Sequence, residues 1–247
     1  MNRRCLNIMQ LMRRPLTVLL LMICCLAAEG QRRNDKVLNR PYADNRAWHL
    51  GFGVGVQTLD LAFTHNGFTA PDGSTWFMEQ PSFSPGFNVN FLIDFRLSNY
   101  FNLRLSPGMY FGNREVKMVD TTLGGEDGQN IKSTFVALPV DLRFSAIRYG
   151  NVKPYLTAGA MAVADVAKKR DDYLRLKTFD AYLTIGFGCD FYLPYFKLSP
   201  ELKFCFGLSD ILQHKRPDLD ENPAAQKFTQ SLSKSTSSIV ILTFYFE

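Results

Sequence analysis

The feature that most narrows what this chain can fold into is a strict alternation of bulky apolar residues with glycine, polar and charged ones, repeated in segment after segment. Successive side chains of a strand point to opposite faces, so a period of two gives a sheet one apolar and one polar face; a helix, with its period of 3.6, does not. Trp48, Leu50, Phe52, Val54 and Val56 share one parity, and His49, Gly51, Gly53, Gly55 and Gln57 the other. Phe87, Val89, Phe91, Ile93, Phe95 and Leu97 alternate with Gly86, Asn88, Asn90, Leu92, Asp94 and Arg96. Phe101, Leu103, Leu105, Met109 and Phe111 follow against Asn102, Arg104, Ser106, Gly108, Tyr110 and Gly112, and then Val136, Leu138, Val140, Leu142 and Phe144 against Ala137, Asp141, Arg143 and Ser145. An alanine-rich run from Val152 to Val166 is weaker, and runs near Phe179–Leu193, Phe196–Leu208 and Thr236–Phe246 bring the expected number of strands to eight. The 21 Phe, 10 Tyr and 17 Gly agree with an all-β class.

The joins supply a second, independent signal. Those around Ser98–Tyr100, Arg148–Asn151 and Pro194–Tyr195 are tight, whereas those over 64–83, 118–131, 167–176 and 211–235 are long, and the two kinds alternate. Short turns on the periplasmic side and long loops outside are the signature of an outer-membrane barrel. The expected fold is therefore an eight-stranded antiparallel transmembrane β-barrel with both termini in the periplasm. A soluble barrel or sandwich with the apolar stripe turned inward has the same periodicity. Bulk throughout the apolar parity, Gly mixed with Asp and Arg on the other, and an aromatic C-terminal strand ending Thr243–Phe244–Tyr245–Phe246–Glu247 favour the membrane. Phe244 and Phe246 are the expected signal to the barrel assembly machinery. Pro107, Pro139 and Pro200 fall inside these strands, where each removes a ladder hydrogen bond, and predict bulges or strand ends nearby.

Residues 1–30 read as a signal peptide: arginines through Arg14, an apolar run from Leu16 to Ala28, and small residues at Ala28 and Gly30 before a cleavage site preceding Gln31. That run is too short for a spanning helix, which needs about 20 residues. Ile23 before Cys24 does not fit lipidation. Residues 31–47 form an irregular polar leader and 48–247 the barrel. The net charge of +5 sits at the front: residues 1–30 and 31–47 each carry +3, leaving −1 for the remaining 200, so nucleic acid is not an expected partner. Of the five cysteines only Cys189 and Cys205 lie in the mature chain, on opposite strand faces, and free thiols are expected.

An eight-stranded lumen is filled by side chains and passes no folded protein. Its parity carries Asp94, Arg96, Arg104, Asp141, Arg143, Glu201 and Lys203. A turn centred on Asn99 sets Asp94 opposite Arg104. The plain reading is a structural ion network, since buried charges need partners; the alternative is a proton or substrate relay. His49, His65 and His214 have no Ser or Cys partner at motif spacing, and Asp72, Asp171 and Asp172 read as solvated loop charge, so neither an enzyme nor a cofactor is expected. Lys215–Lys234, with a short helix over Pro223–Leu232, is a candidate docking loop.

Several segments resemble the PorT (SprT) family of the Bacteroidetes, outer-membrane barrels tied to type IX protein secretion and, in gliding relatives, to motility. They are Trp48-His-Leu-Gly-Phe-Gly, the run from Asn102 to Arg114, Leu138-Pro-Val-Asp-Leu-Arg143, Lys153-Pro-Tyr-Leu-Thr-Ala-Gly159, Gly186-Phe-Gly-Cys-Asp-Phe-Tyr-Leu-Pro-Tyr-Phe-Lys197, Ser199-Pro-Glu-Leu-Lys203 and the C-terminal Phe-Glu. The resemblance implies an accessory or assembly role, exercised by binding other secretion components. The alternative, of another class, is a surface barrel that engages an external ligand through its long loops.

Overall fold

The computed structural model of the protein describes residues 37–65, 76–79, 85–120, 126–167, 177–211 and 232–247. The signal peptide, the first residues of the leader, the His65 side chain, His214, Asp72, Asp171, Asp172 and nearly all of the Lys215–Lys234 segment lie outside them.

After a 3-10 turn at Ala43–Asn45 every regular element among the described residues is a strand: β1 Trp48–His65, β2 Trp76–Glu79, β3 Pro85–Arg96, β4 Phe101–Leu105, β5 Gly108–Asp120, β6 Glu126–Ser145, β7 Val152–Asp165, β8 Phe179–Tyr192, β9 Lys197–Gly207 and β10 Leu232–Phe246. All ladders are antiparallel. β1 pairs with β10 on one side and β3 on the other, which closes the sheet into a ring. β4 and β5 form one stave: Ile93↔Leu105 and Asn90↔Gly108 belong to a single register, as do Leu105↔Val140 and Gly108↔Ala137. The ring therefore has eight staves, as the alternation predicts, and β2 lies outside it as an added strand on β5.

The orientation of the pleat separates a membrane barrel from a soluble one. The bulky apolar parity points outward, with Leu50, Phe91, Leu138, Leu156 and Phe187 each 48–65% exposed, while Asn88, Asn90, Asp94, Arg104, Thr184 and Glu201 are buried inside. A water-soluble barrel turned this way would present a continuous apolar belt to solvent. Around a barrel in lipid that belt is the stabilised arrangement.

The prolines act differently from expectation. Pro107 does break its stave, between β4 and β5. Pro139 and Pro200 produce neither a bulge nor a strand end. Pro139 keeps its place opposite Met161 and sits beside the β4–β5 break, where its carbonyl accepts from Ser106 N at 3.2 Å. At Pro200 the β8–β9 ladder skips between Gly188↔Glu201 and Phe191↔Leu198, while Pro200 still faces Phe244. The ladder is thus interrupted over two residue pairs without a shift of register. Much of the join over 118–131 is strand instead of loop: β5 and β6 stay paired out to Val119↔Glu126. At 20 residues β6 far exceeds the roughly 9–11 that a tilted strand needs to cross a bilayer, so the hairpin projects beyond the barrel and carries β2 on its side.

Candidate functional site

The inward face has two tiers. At the end of the short joins and the C-terminus, Arg104, Arg143, Lys197 and Lys203 meet Asp94, Asp141, Asp190, Glu201 and Glu247. The tight β3–β4 join sets Asp94 opposite Arg104, whose Nη2 lies 3.0 Å from Asp94 Oδ2. Arg104 Nη1 reaches across the bore to Glu201 Oε2 at 2.8 Å, and Nη2 stands 3.7 Å from Glu247 Oε1. Arg143 donates to Asp190, to Ser145 Oγ at 3.0 Å, and at 3.5 Å to Asp94. Lys203 Nζ bridges Asp141 at 2.6 Å and Glu201 at 3.1 Å, and the Thr184 hydroxyl donates to Asp141 at 2.6 Å. Tyr155 stacks between the guanidinium carbons of Arg143 at 3.8 Å and Arg104 at 5.1 Å. That stack needs Gly188 on the neighbouring stave, because a Cβ there would fall on the Tyr155 ring.

Six of the seven charges picked from the sequence are thereby joined in one buried network. Arg96 is the exception. It has the inward parity but lies past the end of the lumen, where its guanidinium donates to Asn99 Oδ1 at 2.6 Å across the turn. Asp190, Lys197 and Glu247 belong to the network although the sequence reading omits them; each carries the inward parity of its stave, which was the available signal.

Deeper toward the long joins, the same parity turns apolar. Leu59, Tyr110, Phe135, Met161, Val163, Tyr182, Ile239 and Ile241 pack into a core in which none is more than 5% exposed. The bore is closed there by side-chain volume.

Residues 38–47 of the leader, bends and turns around the 3-10 turn at Ala43–Asn45, fold over the short-join mouth. Asn39 N donates to Asn151 Oδ1 and Asn39 Nδ2 to the Tyr192 carbonyl, both at 2.9 Å. Arg40 Nη1 donates to a backbone oxygen of Glu247 at 2.9 Å. Arg148 lies 3.6 Å over the Tyr192 ring and donates to the Asn39 and Arg40 carbonyls. Asp44 accepts from the Tyr192 hydroxyl at 2.6 Å and Lys153 Nζ at 3.1 Å. Burial pushes the Asp44 carboxyl up, but the Tyr192 hydrogen bond and the Lys153 charge outweigh it and hold the group below its ordinary value.

Phe244 and Phe246 face outward: Phe246 stacks on Phe52 at 5.1 Å and leans on Phe196 at 5.9 Å, and Phe244 is 39% exposed. Cys189 and Cys205 are both free thiols. Among the described residues no group of His, Cys, Asp and Glu is placed to hold a metal ion.

Residues 30–213 match the family described as outer membrane protein beta-barrel domain. None of the curated proteins is similar in sequence. Among solved structures the chain is similar to the N-terminal β-barrel domain of Pseudomonas aeruginosa OprF, with 13% identity over 78% of this chain and 97% of that one and a TM-score of 0.36. It is also similar to Ail, the attachment invasion locus protein of Yersinia pestis, in complex with the heparin analogue sucrose octasulfate, with 12% identity over 81% of this chain and 99% of that one and a TM-score of 0.34.

Proposed function

Because the chain belongs to the outer membrane protein beta-barrel domain family, we propose that it serves as an accessory or assembly component of type IX protein secretion, working through protein–protein binding and not as the pore. The observation that carries this reading is the state of the bore. An apolar core fills one tier, buried ion pairs fill the other, and the leader lies across the mouth. A barrel so filled has its surfaces to offer, not a conduit. The secretion role itself is supported by the resemblance of Gly186–Lys197 and the other segments to the PorT family. In this reading the short joins, both termini and the docked leader face the periplasm, Phe244 and Phe246 are read by the barrel assembly machinery, the belt contacts outer-membrane lipid, and other secretion components bind the short-join end.

The test is an in-frame deletion in the native bacterium, with proteins that carry the type IX C-terminal signal followed in medium, cell surface and periplasm. Periplasmic retention, reversed by the gene supplied in trans, is the expected result. Normal delivery would refute the role. One observation favours the second reading, a surface barrel with an external ligand: the β5–β6 hairpin with β2 on its side projects from the opposite end. On that reading truncating the hairpin abolishes function, while changes at the short-join end are silent.

A further inference from the structure

Between the leader and the charged tier lies a small polar cavity of about 40 Å³. Its lining includes Arg96, His49, Lys153, Lys197, Asn99 and Asn102, with Arg143 and Asp190 in its floor and Asp44 in the leader above. The balance of charge is uneven. Four cations, Arg96, Arg143, Lys153 and Lys197, face it against two carboxylates, Asp44 and Asp190.

Both carboxylates are already engaged. Asp190 takes Arg143, the Ser199 hydroxyl at 2.7 Å and Lys197 at 3.9 Å; Asp44 takes Tyr192, Lys153 and, at 3.6 Å, Arg148. The next layer is engaged too, with Asp94 on Arg104 and Arg143, and Glu247 on Lys197 at 2.5 Å. Arg96 stands apart. Among the described residues no carboxylate lies within ion-pair distance of its guanidinium, which donates to the neutral Asn99 amide oxygen. A guanidinium offers five donors in a planar fork suited to a carboxylate or phosphate, and one neutral acceptor leaves most of that fork unused. His49, on the same wall, adds a ring nitrogen.

We propose that this cavity binds one compact oxyanion, a carboxylate or a phosphate group, held by Arg96 with His49 and the lysine ammonium groups beside it. The buried floor makes the site specific in shape, because Arg143, Asp190 and Lys197 are fixed by the network and cannot turn away. The leader contributes Asp44 to the lining. This inference does not rest on the secretion reading.

The experiment is calorimetric titration of the full mature chain, refolded in detergent micelles, with inorganic phosphate in one arm and acetate in the other. Saturable one-to-one binding is expected in at least one arm, and the arm identifies the anion. Arg96→Gln is expected to weaken it about tenfold or more, the loss of roughly one charge-assisted bond. His49→Gln should weaken it less, and Lys132→Gln on the outer hairpin should leave it unchanged. Heat-modifiable gel migration confirms that each variant is folded. Absence of saturable binding in both arms, or equal affinity in wild type, Arg96→Gln and His49→Gln, would overturn the proposal.

Discussion

The two tiers of the lumen are built on the same staves and the same parity, yet they are held by opposite means. In the charged tier each member is fixed by named partners at ion-pair distance, and Arg104 alone touches groups from β3, β7, β9 and the C-terminus. In the apolar tier residues such as Met161 and Ile239 have no directional bonds to satisfy and are held by filling space. Removing a partner from the first strands a buried charge, whereas trimming the second leaves a hole. The comparison teaches that one barrel wall tolerates both fillings, provided that neither is left incomplete.

The largest effect should follow from breaking the charged tier at its hub. Arg104→Gln leaves Asp94 and Glu201 buried with less compensation and is expected to cost about 3–5 kcal/mol in reversible unfolding from micelles. Adding Asp94→Asn should cost much less than the sum of the two single changes, since the second removes a charge that the first has orphaned. Additive costs would show that the pair is not coupled. In the apolar tier, Met161→Ala should cost about 2–4 kcal/mol by the same measurement, with no partner whose removal rescues it. A rescue by any charge change would break the distinction between the tiers.

How much of this was open to reading from the chain follows from the same distinction. The staves and the Asp94–Arg104 pair were legible because alternation and a tight antiparallel turn are local rules. Glu201 and Lys203 were legible as inward charges, but not as partners of Arg104 and Asp141, since those meetings are made across the bore by ring closure. Asp190, Lys197 and Glu247 sat on the right parity and were passed over. The switch of the inward parity from Gln57 to Leu59 and Leu61 marks where the apolar tier begins; beyond Gln57 the apolar residues change face, so alternation alone no longer tells inside from outside. Arg96 shows the converse failure: parity gives the face but not the depth, and one pleat past Asp94 the lumen ends. The β5–β6 extension was hidden because a hairpin outside the membrane needs no apolar face, so Arg114–Asp120 and Glu126–Lys132 carry no alternation.

A smaller effect should come from crowding the stack that joins the two halves of the charged tier. Gly188→Ala sets a methyl group where the Tyr155 ring lies, and overpacking of that kind typically costs about 1–3 kcal/mol. Because Tyr155 also lies against Arg143 and Arg104, the damage should be smaller in an Arg143→Gln background than in wild type. Equal damage in both would mean that the ring is held by packing alone and that the charged tier resembles the apolar one more than its ion pairs suggest.

The smallest effect belongs to the leader, where the charges are partly solvated. Asp44 is held below its ordinary carboxyl value in the folded chain, so its contribution to leader docking is fully present above the unfolded carboxylate range. It is lost as pH falls through the lower, folded value. Protease protection of residues 38–47 should therefore persist at neutral and mildly acidic pH and disappear under strongly acidic conditions, while the barrel itself stays heat-modifiable. Asp44→Asn should weaken docking by less than about 1 kcal/mol, as expected for a partly exposed pair, and remove most of that acid dependence. If the acid loss persists unchanged in Asp44→Asn, the docked leader answers to the carboxylates of the lumen below it, and the mouth and the charged tier form a single titrating unit.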